Sequence, residues 1–185
     1  MIDEVMQELQ ENLEKSVAAL RRELGKVRTG RASPAILDRI RIDYYGVPTP
    51  IAQMATVSVP DARLLVVKPW EKSQVSVIER AIREEDLGLN PRVDGDILRV
   101  PIPPLTEERR KEMVKLARRA GEDAKVAIRK HRRDAIDLLT SLRDEGEVPE
   151  DDADRAKKKL EDLVGDGVKK VDTVVAEKEK EVMEV

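Results

Sequence analysis

Over the first part of the chain, apolar residues return every three or four positions: Met6, Leu9, Leu13, Val17, Leu20, Leu24 and Val27. That spacing predicts a helix over residues 2 to about 28 with one buried face. Gly30 and then Ser33-Pro34 end the pattern. From Arg39 the period drops to two. Ile40, Ile42 and Tyr44 alternate with Arg39, Arg41 and Asp43, as in a half-buried strand. Gly46, Pro48 and Pro50 predict a turn. Further strands are expected at 55–59 and 64–68, with Pro60-Asp61 turning the chain between them. Helical spacing returns through Val75, Ile78, Ile82 and Leu87, then stops at Gly88 and Asn90-Pro91. Asp94-Gly95-Asp96 signals a hairpin turn before a last strand over 97–102.

Pro101, Pro103 and Pro104 stiffen the exit from that strand. Thr106 is a candidate N-cap, and Glu107 and Glu108 suit the positive end of a helix that the pattern carries to Arg143. Its apolar side reads Met113, Leu116, Ala120, Ala124, Ala127, Ile128, Ala135, Leu138 and Leu142. Gly146 and Pro149 break it. A third helical stripe runs through Ala156, Leu160, Leu163, Val164, Val168, Val171, Val175 and Val182. Gly165 and Gly167 fall inside it at about 1 kcal/mol each relative to alanine, and predict a kink or a frayed turn. A lone helix cannot bury such a stripe. The economical packing is a three-helix bundle made of residues 1–29 and 106–185, with 31–105 inserted as a small α/β domain. The fold class is α+β. The chain crosses between the two parts near 29–31 and 104–106, so Gly30 and Leu105 are the expected hinge positions.

Charge changes this picture. The net charge of −3 hides an asymmetry. Residues 107–143 carry 12 basic and 7 acidic side chains, whereas the chain from Asp144 carries 8 and 15. At about 100° per residue, Lys111, Lys115, Arg118, Lys125, Arg129, Arg132 and Arg133 project within roughly 60° of one direction. Only Glu122 interrupts them. A solvated helix usually mixes signs so that neighbouring turns neutralise each other. A face of cations instead suits a surface that meets phosphates.

Composition narrows the chemistry further. Charged residues are 39% and aromatic ones 2% of the chain, which favours long amphipathic helices over a wide core. Cysteine is absent, which excludes thiol chemistry and fits a reducing compartment. The charged start Met-Ile-Asp-Glu-Val is not a signal peptide, and no apolar run reaches membrane-spanning length. The expected location is cytoplasmic. His131 falls among the apolar positions of its helix and reads as a packing or edge residue. No metal site is expected, because the acids near Glu150 lack the spacing and glycine of a calcium loop. No phosphate loop follows Gly25 or Gly30. Trp70, Tyr44 and Tyr45 are the only aromatics, and packing is their expected role. With no nucleophile, base and orienter assembled, the chain reads as a binder and not an enzyme, with no cofactor. A coiled-coil adaptor for protein partners is the alternative, but such helices expose an apolar anchor stripe.

Several strings carry a resemblance. They are Val27-Arg-Thr-Gly-Arg-Ala-Ser-Pro34, Asp43-Tyr-Tyr-Gly46, Lys68-Pro-Trp70, Asp86-Leu-Gly-Leu-Asn-Pro91, Pro104-Leu-Thr-Glu-Glu-Arg-Arg-Lys111, and Val126-Ala-Ile-Arg129 with Arg132-Arg-Asp-Ala135. In order and spacing, over essentially the whole chain, they resemble the bacterial ribosome recycling factors. The resemblance implies a long three-helix bundle and a small β/α/β domain joined by two short hinge strands, L-shaped and similar in outline to a transfer RNA. It implies a monomer that binds the large ribosomal subunit after termination and, with elongation factor G and GTP, promotes subunit splitting. It implies rRNA contacts by Arg28, Arg31, Arg110, Arg129, Arg132 and Arg133.

Overall fold

The computed structural model describes residues 1–184, which divide into two compact units. One comprises Met1–Thr29 with the chain from Glu107 onward; the other is Gly30–Thr106. Each has its own hydrophobic core.

The first unit is built from α1 (Ile2–Gly25), α3 (Glu107–Asp144) and α4 (Glu150–Met183). Leu9, Leu13, Leu20 and Leu24 of α1 meet Ala117, Ala124, Ile128 and Leu139 of α3 and Leu160, Val164 and Val171 of α4. Helix α1 ends at Gly25, three residues before the expected end. Lys26 and Val27 donate to the carbonyls of Glu23 and Leu24, a tighter final turn that keeps Val27 against the bundle core. After α3, the Gly146 N–H bonds the Arg143 carbonyl and the Glu147 N–H reaches the Leu142 carbonyl. This is a Schellman cap, with Gly146 supplying φ +76°.

Two expectations for these helices are corrected. Helix α4 runs unbroken through Gly165 and Gly167, so no turn frays there. In α3, Leu116 and Leu138 are 49% and 47% exposed, while Ala117 and Leu139 are buried. The buried arc is centred on Ala117, Gly121 and Ala124, because small side chains let the neighbouring helix approach. A Cβ on Gly121 would lie 2.7 Å from Val175 Cγ2. Leu116 and Leu138 project outside that arc and stay exposed.

The second unit holds a two-stranded sheet, β1 (Arg41–Tyr44) with β2 (Val47–Pro50), and a four-stranded antiparallel sheet. The latter comprises β3 (Ala55–Asp61), β4 (Leu64–Pro69), β5 (Arg92–Asp94) and β6 (Ile97–Pro101) in the order β3-β4-β6-β5. Leu65 pairs with Val100 and Val67 with Leu98. All four are buried with Ile78 and Ile82 of α2 (Val75–Glu84). The chain turns at Gly46 as expected, but Pro48 and Pro50, expected to belong to that turn, lie in β2. Its prolines are tolerated because β2 is paired on one side only. The β1–β2 turn is Tyr45-Gly46, with φ of +51° and +82°, as in a type I′ hairpin. Pro60-Asp61 is likewise not a turn. It continues edge strand β3 through an irregularity between Ser58 and Asp61, and the chain reverses at Ala62-Arg63. That reversal anchors both ends of the unit: Ala32 N–H donates to the Ala62 carbonyl at 2.7 Å and Ile102 N–H to the Arg63 carbonyl at 2.8 Å.

Candidate nucleic-acid interface

Helix α3 carries the cationic ladder, and α4 decides how much of it is available. Arg118 Nε donates to Glu179 Oε1 at 2.7 Å, and Lys125 Nζ lies 2.7 Å from Asp172 Oδ1. Arg132 clasps Glu161: Nε reaches both carboxylate oxygens at 3.0 Å, and Nη2 reaches Oε1 at 2.6 Å. Along α3 these cations are seven residues apart, and along α4 the partners of the first two step back by seven. The helices are therefore antiparallel with heptad-like registry. Lys111 also pairs, within α3, with Glu107. The ladder read from sequence as a bare face of cations is thus partly neutralised by its neighbour.

What remains is local. Arg129 and Arg133 are exposed and make no ion pair among the described residues, and the same holds for Lys115. Arg129, Arg132 and Arg133 stand at i, i+3 and i+4 on adjoining turns, so their side chains share one patch. Arg110 is half-buried and lies off the ladder, in line with Gly121 and Ile128 on the packed side. Arg28 is exposed just beyond α1. Arg31 is exposed in the second unit. The structure thus gathers three of the six arginines singled out above on one surface and places Arg28, Arg31 and Arg110 elsewhere along the chain.

The electrostatics follow from the pairings. Hydrogen bonding to Glu161 raises Arg132 above the ordinary arginine value, and the same bonds hold Glu161 below the usual carboxylate value against a partial desolvation that opposes it. Hydrogen bonds to Glu179 and Asp172 raise Arg118 and Lys125 in the same way. A carboxyl held low keeps its charge at neutral pH. The clasp therefore persists there and weakens only as acid protonates Glu161. Glu161, Asp172 and Glu179 escaped the reading of single helices. For Asp172 and Glu179 the signal was a seven-residue spacing that matches Lys125 and Arg118 once the two patterns are laid antiparallel; Glu161 lies off that spacing.

Tyr44 packs partly buried against the core of the second unit, but the other two aromatics do not. Tyr45 is 77% and Trp70 68% exposed. Tyr44 and Tyr45 hydroxyls donate to the two oxygens of Glu71, at 2.5 and 3.1 Å, and the Trp70 indole N–H reaches Thr56 Oγ1 at 3.3 Å. Among the described residues, no cluster of His, Asp or Glu could hold a metal ion, and no helix is long and apolar enough to cross a membrane.

A long three-helix bundle bearing an arginine patch, with a small antiparallel α/β unit in the same chain, defines an α+β protein of two compact units. The chain belongs to the ribosome recycling factor family, whose model matches residues 20–183. It is 65% identical over 185 residues to the ribosome-recycling factor of Sorangium cellulosum, with the whole of both chains covered. It is 52% identical over 183 residues to that of Anaeromyxobacter dehalogenans, covering 99% of this chain and 97% of the other. In three dimensions it is similar to a ribosome recycling factor solved in solution, with a TM-score of 0.74, 38% identity, and 100% and 98% of the two chains covered. It is also similar to a T. thermophilus ribosome recycling factor described together with E. coli elongation factor G, bound to the E. coli post-termination complex. That match has a TM-score of 0.64, 41% identity and full coverage of both chains.

Proposed function

We propose that this chain recycles ribosomes after termination in the cytoplasm: it binds the large subunit through the α3 face and, with elongation factor G and GTP, promotes subunit splitting. Family membership along the whole chain supports the role, and the observation that carries the binding mode is the patch of Arg129, Arg132 and Arg133. Arginine suits phosphate because its planar fork holds two oxygens at once. Arg28, Arg31 and Arg110 are proposed as further rRNA contacts, and Gly30 and Leu105 as the hinge. The chain acts as a monomer by binding, without chemistry of its own, and the nucleotide is hydrolysed by its partner factor.

A splitting assay with purified subunits, elongation factor G and GTP tests the role. Arg132→Ala tests the binding mode. Its side chain stands outside the core, so folding changes by no more than about 0.5 kcal/mol. Large-subunit binding weakens by roughly 1–3 kcal/mol, and wild-type binding falls steeply with added salt. Arg118→Ala, on the same ladder but away from the patch, costs less. Wild-type affinity of Arg132→Ala at every salt concentration would refute the binding mode and favour a protein-binding adaptor.

A further inference from the structure

We infer that Glu161 is a positioning residue for the interface, holding one edge of Arg132 so that the opposite edge is presented to a single RNA phosphate. The inference rests on the binding mode proposed above and concerns how that mode is prepared. An arginine has five N–H donors in a planar fork. Glu161 takes the side edge, Nε with one proton of Nη2. The end edge, Nη1 with the other Nη2 proton, makes no hydrogen bond among the described residues. That edge is the one able to meet two oxygens of one phosphate.

The registry between α3 and α4 explains why the clasp leans as it does. The step of seven that matches Arg118 to Glu179 and Lys125 to Asp172 would bring Arg132 opposite Gly165. Gly165 has no side chain, and a Cβ built there meets nothing within 4 Å. Arg132 turns instead to Glu161, one helical turn earlier in α4, and the surface beside Gly165 stays open. An exposed glycine inside a helix needs a reason, since packing requires nothing there. A partner backbone approaching Arg132 closely would supply one. Arg129 and Arg133 have no such holder, so of the three arginines only Arg132 has its direction set in advance.

A carboxylate beside an RNA-binding arginine has two opposed effects. Its charge repels phosphate whether or not Arg132 is present. Its hydrogen bonds orient the fork and act only through Arg132. An exposed ion pair is weak in water, so giving up part of it on binding costs little, whereas the loss of orientation is felt in full by a two-pronged contact.

A double-mutant cycle on the full-length chain separates them, reading affinity for purified large subunits at low and moderate salt. Glu161→Ala is expected to weaken binding roughly threefold to tenfold when Arg132 is present, and to leave it unchanged or slightly tighter when Arg132 is alanine. Glu161→Gln, which keeps one acceptor oxygen in an isosteric side chain, recovers part of the loss and serves equally well should the alanine variant melt early. Binding by Glu161→Ala or Glu161→Gln that matches or exceeds wild type makes Glu161 a neutralising decoy and overturns the proposal. So does an equal loss in both Arg132 backgrounds. Failure of the underlying binding mode shows separately, as an Arg132→Ala protein that binds like wild type.

Discussion

At the scale of single residues, Glu71 in the smaller unit joins two tyrosines. Its two oxygens accept from Tyr44 and Tyr45, whose rings meet edge to face with centroids 4.6 Å apart. The hydrogen bond to Glu71 is the main cause that raises both tyrosines above their ordinary value, and the nearby negative charge adds to it. The sign follows from the donor. A neutral hydroxyl can give its proton to the carboxylate, and a tyrosinate cannot. The stabilisation is complete at neutral pH and is lost as pH rises through the raised values. Because the chain has only two tyrosines, an ultraviolet titration reads them directly. Both are expected to ionise later than free tyrosine, and Glu71→Gln to bring both back toward it. A titration unaltered by that change would mean the fork does not exist in solution. The same fork steadies Tyr45 at φ +51°, a conformation that costs a non-glycine residue energy.

At the scale of elements, three glycines in the long helices distinguish packing from propensity. At Gly121, the added methyl would lie 2.7 Å from Val175 Cγ2, and the β-branched valine has little freedom to move. Gly121→Ala is expected to destabilise the bundle by about 1–3 kcal/mol through overpacking. At Gly167 the nearest atom, Leu13 Cδ2, is at 3.5 Å, an ordinary contact, and at Gly165 there is none. Gly167→Ala should be neutral or mildly stabilising, and Gly165→Ala should stabilise by up to about 1 kcal/mol. Thermal melts of the three variants check the order; a Gly121→Ala protein as stable as wild type would mean α3 and α4 do not approach so closely. A stabilised Gly165→Ala protein that binds large subunits less well would match the open approach to Arg132 inferred above.

At the scale of the whole molecule, the two hydrophobic cores share no residue. The smaller core draws on both sheets and α2, so residues 31–105 are expected to fold alone with a cooperative melt. The larger core depends on both ends of the chain. Without α1, the buried Leu9, Leu13, Leu20 and Leu24 are lost to α3 and α4. Each such leucine contributes roughly 1.5–3 kcal/mol, so residues 106–185 alone should lose their stability as a monomer. Circular dichroism and sedimentation of the two fragments decide it. A stable, monomeric 106–185 fragment would show that α1 is not needed to close the bundle.

Local periodicity was enough to reveal the three helical stripes, the alternation about Ile40 and Ile42, the turn at Gly95 and the cationic ladder of α3, because each depends on residues a few positions apart. Prolines misled it at β2 and at Pro60. A proline forbids a ladder bond from its own nitrogen, and whether that matters depends on the strand lying at an edge, which neighbours alone determine. The centre of the buried arc on α3 was equally out of reach. It falls on Ala117 and Gly121 and not on Leu116 because α4 comes close enough to prefer small side chains. Tertiary structure also decided which cations remain available. Arg118, Lys125 and Arg132 meet acids on α4 only because the two helices pack antiparallel in one register, whereas Arg129 and Arg133, on the same α3 ladder, find none. The spacing of the ladder is written in one helix; its pairing is a property of two.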